Sequence, residues 1–364
     1  MAPARMVPVR IDQSRPGKYA RSFQALDGAI YVLGVFKVTE QGRKVGGRDD
    51  SDPSWPPTAL SESRINTFFS RPGFFLGLRS RLKASLDGAI VGTMWRSFDG
   101  LKTIREEETR LLIPEAGQVD FGRAGEWAGL VFHRAVVEST DGSLLAAMYG
   151  NFEQDRTRPT NPHSKRETKY KLRAFLVRSS DQGETWRYLA TVAAPSPDVA
   201  DDSEGFNEWS MVRLADGRLL GVIRTGHFTP LVASWSRDDG RSWTPPQTPL
   251  GLGPGGCDPY LLKLQDGRLA LAYGEMVQPP ADRERYWREY TARAEPRRRC
   301  RLALSADGTG RAWQTLDVCD YDERSAYPTI FEVAPNLLLY QSDLQLWRVE
   351  LPPASEGVAP EFVP

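Results

Sequence analysis

Short apolar runs bounded by Asp-Gly recur along this chain, and no stretch of it carries the 3.6-residue spacing of an amphipathic helix. The fullest example runs from Phe206 to Trp243. SMVRL is followed by the turn Ala215-Asp216-Gly217 and then by RLLGVIRT; a loop leads to LVASWS, and a corner from Ser236 to Trp243 leads into a last strand. β-Branched and large apolar residues bounded by Asp-Gly predict short strands joined by tight turns, so this stretch reads as one unit of four strands. The Asp-Gly element returns at Asp27-Gly28, Asp87-Gly88, Asp141-Gly142 and Asp266-Gly267, with a weaker copy at Pro335-Asn336. A corner of the form Ser-x-Asp-x-Gly-x-x-Trp is clean twice, at Ser179, Asp181, Gly183 and Trp186 and at Ser236, Asp238, Gly240 and Trp243. It is degraded from Ser305 to Trp313 and again from Ser97 to Thr103. Such repetition predicts an all-β, six-bladed β-propeller of four-stranded antiparallel blades, one domain over residues 1–364.

Four blades are expected at about 130–195, 205–250, 257–320 and 326–351, and residues 19–115 are expected to hold two more of ambiguous strand order. The early segment VPVRI is a candidate to join the last blade and protect its edge. In an up-and-down blade the Asp-Gly turns and the Ser-Asp-Gly-Trp corners share one face. Long insertions at about 36–63, 151–171 and 275–300 fall on the other, where function is expected. Eight residues before each Asp-Gly, where the innermost strand should start, stand Tyr19, Arg79, His133, Glu208 and Asp258; Tyr327 holds the equivalent place in the last unit. Polar or ionisable residues at every such start predict a ligand site at the channel mouth. A solvated channel lining is the alternative.

Composition narrows the partners. Lys plus Arg and Asp plus Glu are 47 each, so net charge points to neither nucleic acid nor a membrane. An Arg-rich run from Arg283 to Arg301, interleaved with Tyr286, Trp287 and Tyr290, reads as a solvated loop or lid in a chain of zero net charge. No apolar run is long enough to span a bilayer. The start of the chain lacks an apolar leader, which predicts a cytoplasmic protein, or a secreted one if a leader has been removed. Cys257, Cys300 and Cys319 form no CxxC pair, and no metal-ligand spacing or cofactor motif stands out.

The Ser-x-Asp-x-Gly-x-x-Trp corner is the Asp-box, and with it the chain resembles the sialidase (BNR-repeat) superfamily over the last two thirds of its length. The box itself is structural: Asp and Ser satisfy turn N–H groups, Gly takes a left-handed conformation and Trp packs between blades. Asn207-Glu208-Trp209-Ser210 resembles the sialidase N-E-x-S motif, whose Glu serves as base to a Tyr nucleophile from the last blade. The resemblance therefore implies those roles for Glu208 and Tyr327. A neutral phenol suits an anionic sugar, which would repel a carboxylate nucleophile. Arg224 stands where the family carries an Arg that grips a substrate carboxylate, and Arg301, with Arg298 and Arg299 as rivals, could supply a second. The family's Arg-Ile-Pro motif is missing; Arg21 is displaced by three positions from the place of its Arg. The general acid would be Asp49 or Asp50, by loop position alone.

Structural roles stay open beside these: a strand-end carboxylate for Glu208, channel packing for Tyr327, a salt bridge from Arg224 to Glu208 or a neighbour. His133-Arg134 has no counterpart in the sialidase set. His133 and His227 map to the face bearing Glu208, and a His133/Tyr327 pair would suit a propeller polysaccharide lyase, with arginines such as Arg134 neutralising a uronate. The leading expectation is an exo-glycosidase on a terminal acidic sugar, bound by Arg224, Arg301, Arg134, Arg21, Arg79, Asp258 and His227. A lyase or atypical glycosidase and a propeller that only binds carbohydrate or protein are the rivals.

Overall fold

In a computed structural model, the chain is built of strands and turns, with no helix among the described residues. Described are the strands at 5–9, 21–24, 30–33, 36–38 and 44–45, then residues 65–79, 82–84, 89–100, 102–114, 129–158, 170–195, 204–226, 229–253, 256–276, 298–316, 327–341 and 346–354. Strands β2 (Arg21–Gln24), β3 (Ile30–Leu33), β4 (Phe36–Val38) and β5 (Lys44–Val45) form one antiparallel sheet. A second comprises β6 (Ile65–Arg71), β7 (Phe74–Arg79), β9 (Ile90–Ser97) and β10 (Arg105–Leu112), with β8 (Lys83–Ala84) paired to β9. β11 (Leu130–Glu138), β12 (Leu144–Gly150), β13 (Arg173–Ser179) and β14 (Thr185–Ala193) make the next meander, and β10 pairs with β14 in parallel, so the two merge into one nine-stranded sheet. Then come β15 (Trp209–Arg213), β16 (Leu219–Ile223) and β17 (Val232–Ser236) in a three-stranded sheet, and β18 (Gly256–Lys263), β19 (Leu269–Met276), β20 (Arg298–Ser305) and β21 (Gln314–Leu316) in a four-stranded one. The last sheet is β22 (Thr329–Ala334), β23 (Leu337–Gln341), β24 (Leu346–Glu350) and β1 (Arg5–Val9), so the N-terminal segment does join the C-terminal sheet.

The continuous apolar runs are explained by burial on both faces. Along β16, Leu219 and Ile223 face the core shared with the β11–β14 meander, while Leu220 and Val222 face the core shared with the β18–β21 sheet. β12 divides in the same way: Leu144, Ala146 and Met148 to one side, Leu145 and Ala147 to the other. With period-2 side chains and a hydrophobic layer on each face, both of these strands read as continuous apolar runs. First strands lie against their neighbours in sequence: β6 on β11, β11 on β15, β15 on β18, β18 on β22 and β22 on β2. These contacts make the arrangement propeller-like.

Each box seals a corner between sheets. In the first clean copy Gly183 N–H donates to Ser179 Oγ at 2.8 Å and Thr185 N–H to Asp181 Oδ1 at 2.8 Å; in the second, Gly240 N–H and Ser242 N–H repeat both bonds on Ser236 and Asp238 at 2.8 Å. The degraded copies keep part of the pattern, with Gly310 N–H on Ser305 Oγ and Thr103 N–H on Asp99 Oδ1. Trp186 is fully buried in the core between the two joined meanders, its ring 5.6 Å from that of Phe132, and Trp243 meets Trp209 edge-on at 6.0 Å.

Two expectations change. The unit from Phe206 carries three strands rather than four: after the box, Pro245 and Pro246 have no N–H to extend a ladder, and only an isolated bridge joins Gln247 to Ala233. In the second sheet Asp87-Gly88 lies between β8 and β9 rather than after the first strand, and the first turn is made by Pro72-Gly73. Counting back from that Asp-Gly therefore lands on the end of β7. Arg79 lines a cavity of about 300 Å³ with Lys83, Glu106, Glu107 and Glu108.

Candidate active site

The Asn-Glu-Trp-Ser stretch is held at each of its four positions. Asn207 Oδ1 accepts the Glu208 N–H at 2.8 Å while its Nδ2 donates to Glu204 at 2.8 Å. Trp209 is buried, and its indole N–H reaches Met148 O at 2.8 Å. Ser210 Oγ accepts Leu261 N–H at 3.1 Å, tying β15 to β18. Glu208 is thus placed just ahead of β15, its side chain 12% exposed. Its Oε2 accepts from Arg224 Nη1 at 2.7 Å and from Asp258 N–H at 3.0 Å. Its Oε1 faces the Tyr327 hydroxyl, which lies just ahead of β22, at 3.5 Å. That distance is longer than a formed O–H···O bond.

Arg224 follows β16 and is buried, its Nη2 3.1 Å from Glu204 while Nη1 holds Glu208. Burial by itself lowers the guanidinium pKa, and the carboxylates of Glu204 and Glu208 more than reverse this, leaving it well above its ordinary value. The expected salt bridge from Arg224 to Glu208 is present, and Arg224 borders the Glu208–Tyr327 pair.

Behind Glu208 lies a second ion pair. Asp258 and Arg134 both have fully buried side chains; Arg134 Nε donates to Asp258 Oδ1 at 2.7 Å and its Nη2 to Oδ2. Burial lowers the Arg134 pKa and the Asp258 charge outweighs it, so the net shift is upward. The guanidinium also lies 5.3 Å from the Tyr260 ring centroid. His133 Nε2 sits 3.0 Å from Asp258 Oδ1 and its Nδ1 3.0 Å from both N and O of Trp209. An ionised Asp258 only accepts, so Nε2 carries the proton and Nδ1 accepts Trp209 N–H. Both ring nitrogens of His133 are therefore engaged with protein.

The structure brings together Glu208, Tyr327, Arg224, Asp258, Arg134 and His133. Arg301 lies on β20, two strands outward from β18, with its Nε on Glu275 at 2.6 Å; Arg79 lines the separate cavity of the second sheet. Arg21 begins β2 by its backbone. Asp49, Asp50 and His227 lie outside the described residues, as do Tyr19 and most of the insertions at about 36–63, 151–171 and 275–300. Sequence reasoning missed Glu204. Its signal was an acid four residues before Glu208 and three before an Asn whose amide needed an acceptor. Among the described residues no group of three or more His, Cys, Asp or Glu could hold a metal ion, and no helix is long and apolar enough to cross a membrane.

Repeated box corners around a conjoined carboxylate, phenol and guanidinium mark a repeat-built all-β protein of the sialidase/BNR-repeat superfamily. A family model described as a BNR repeat-like domain matches residues 95–337, and the chain belongs to that family. No curated protein matches the sequence. Among solved structures it is similar to a protein of unknown function from Dyadobacter fermentans, at 17% identity and TM-score 0.60 over 96% of this chain and 99% of that one. It is also similar to a Hadza microbial sialidase (16% identity, TM-score 0.56, 95% of this chain and 68% of that). A third is an α-L-arabinanase from Penicillium chrysogenum (13% identity, TM-score 0.54, 94% of this chain and 95% of that). Identities this low show the fold; the chemistry has to be argued from the site.

Proposed function

We propose that this chain is a glycoside hydrolase built on a six-bladed propeller, in which Tyr327 is the nucleophile and Glu208 its base. The observation that carries the reading is the split use of Glu208: Oε2 is occupied by two donors while Oε1 faces the Tyr327 hydroxyl. In the first step the Tyr327 oxygen bonds to the anomeric carbon as the glycosidic C–O bond breaks. The phenol proton passes to Glu208, and the leaving oxygen takes a proton from an acid, for which Asp49 and Asp50 are the candidates. Water, giving a proton to that same acid's carboxylate, then displaces Tyr327, which recovers its own proton from Glu208. A phenol nucleophile suits a terminal acidic sugar such as a sialic acid, and the sialidase among the structural relatives acts in the same direction. The His133-based lyase chemistry is the weaker reading, because neither ring nitrogen is left for substrate.

A neutral terminal sugar is favoured by one observation. Arg134, Arg224 and Arg301 are each paired with protein carboxylates, Asp258, Glu204 with Glu208, and Glu275, so gripping a substrate carboxylate requires an exchange of partners. Hydrolysis of a panel of aryl glycosides, from sialosides to neutral arabinosides and galactosides, decides between the two. Release by wild type and its loss in Tyr327→Phe support covalent catalysis by Tyr327; undiminished release by Tyr327→Phe overturns it.

A further inference from the structure

We propose that the buried Arg134–Asp258 ion pair, tied to His133, is a positioning element that holds the Glu208 carboxylate in line with Tyr327. The proposal rests on the reading of Glu208 as base; in it Arg134, Asp258 and His133 touch no substrate.

The backbone provides the first support. Arg134 and Asp258 have φ of 60° and 47°, a left-handed conformation that neither a long side chain nor a residue ahead of proline adopts without cost, and Pro259 follows Asp258. Each stands in a bulge. In β11 the register jumps between Phe132 and Val136, so His133, Arg134 and Ala135 oppose Ala147 alone; in β18 it jumps between Cys257 and Tyr260, so Asp258 and Pro259 oppose Tyr273 alone. Strained conformations persist where the surroundings over-determine them, and bulges serve to re-aim groups near active sites.

What these bulges re-aim is specific. β11 and β18 flank β15 on either side, and their bulges meet across it: the Arg134 guanidinium holds both oxygens of Asp258. Freed from the β19 ladder, the Asp258 N–H points at Glu208 Oε2 at 3.0 Å. His133 adds a second tether, from the Asp258 carboxylate to the backbone N–H of Trp209, the residue after Glu208. One tether ends on Glu208 and the other on its chain neighbour, and neither uses the oxygen that faces Tyr327. With Oε2 pinned by Asp258 N–H and Arg224, the remaining oxygen is presented to the phenol.

The test is Asp258→Asn, which keeps the shape and a tolerance of the left-handed region but removes the charge facing Arg134. On whichever aryl glycoside wild type cleaves, kcat is expected to fall about 10²-fold with KM little changed, because a displacement near 1 Å suffices for such a loss. The double variant Arg134→Met with Asp258→Asn removes both charges together, is expected to lose no more than the single one, and carries the same readouts if Asp258→Asn does not fold. Wild-type kcat in Asp258→Asn, with Tyr327→Phe inactive, overturns the positioning role and leaves the base–nucleophile reading standing. Should wild type cleave no glycoside, that reading falls, and crystal structures decide the positioning alone. Glu208 displaced from residue 258 N–H in the variant supports it; Glu208 unmoved overturns it.

Discussion

The box corners and the Glu208 cluster sit in the same repeats and are built on opposite principles. Each corner closes on itself: in the second clean copy Ser236, Asp238, Gly240 and Ser242 satisfy one another within seven residues, and the fourth element of the motif, Trp243, packs against Trp209. The Glu208 cluster closes only across the molecule. Its members come from β11, β15, β16, β18 and the approach to β22, and Tyr327 and Glu208 are 119 residues apart. A local device can be copied from unit to unit and degrade in one without harm to the rest. A site assembled from residues of several different units has no second copy, so each repeat that contributes to it must diverge at those positions. The same architecture thus separates what holds the sheets together from what reacts.

If that separation is real, mutations should split activity from stability. The largest effect is expected at the proposed base and nucleophile: Glu208→Gln and Tyr327→Phe should each lower kcat by about 10²–10⁴-fold, measured on the best aryl glycoside, with little change in the thermal midpoint. Trp186→Ala should do the reverse. Removing a side chain buried completely between two meanders is expected to cost about 3–5 kcal/mol in denaturant unfolding, while the protein that remains folded keeps its rate per active site. A Trp186→Ala variant with full stability would mean that the box tryptophan is not the wedge between sheets.

The comparison also accounts for what was legible in the sequence. The corners were readable because their chemistry lies within a fixed short spacing, and the apolar runs because both faces of the middle strands are buried. Glu208 and Tyr327 stood out by their place at strand starts, but their pairing, and the choice of Arg224, came only from resemblance to a family motif; nothing within NEWS itself says that Tyr327 lies opposite. The Arg134–Asp258 pair was visible as two ionisable residues at strand starts but not as a pair, since a left-handed residue in a bulge leaves no local signature beyond Pro259. Arg79 was misplaced because the short strand β8 precedes its Asp-Gly, which therefore does not follow the first strand of that sheet.

Two glycines sharpen the contrast within the turn face. Gly217 and Gly240 have nearly the same φ, 87° and 86°, so a side chain at either should cost about 1–2 kcal/mol in backbone strain. A Cβ at Gly217 meets nothing within 4 Å, whereas at Gly240 it would come 2.3 Å from Leu176 Cδ2, in the core shared with the preceding meander. Gly240→Ala is therefore expected to be the worse by about 1–3 kcal/mol, the range for overpacking. Equal losses would show that the corner yields freely and does not seal the core.

The smallest effect is the pH dependence of the corners. The Asp99 carboxylate is brought down to about 2, first by the Thr103 hydroxyl and then by the Thr103 N–H, and Asp141 falls to about 2 through the hydroxyl and N–H of Ser143. Burial raises Asp181 and Asp238, but N–H and hydroxyl donors of their own turns outweigh it and leave both lowered. A carboxyl that is a stronger acid when folded binds fewer protons than in the unfolded chain, so its stabilisation is complete above the unfolded value near 3.8 and fades as pH falls towards about 2. Denaturant midpoints should hold steady from neutrality to about pH 5 and then decline. Asp99→Asn, which removes one such carboxylate from an exposed corner, should reduce the decline slightly without altering its onset, since Asp141, Asp181 and Asp238 remain. A decline starting near neutral pH would instead place the titrating groups away from the corners.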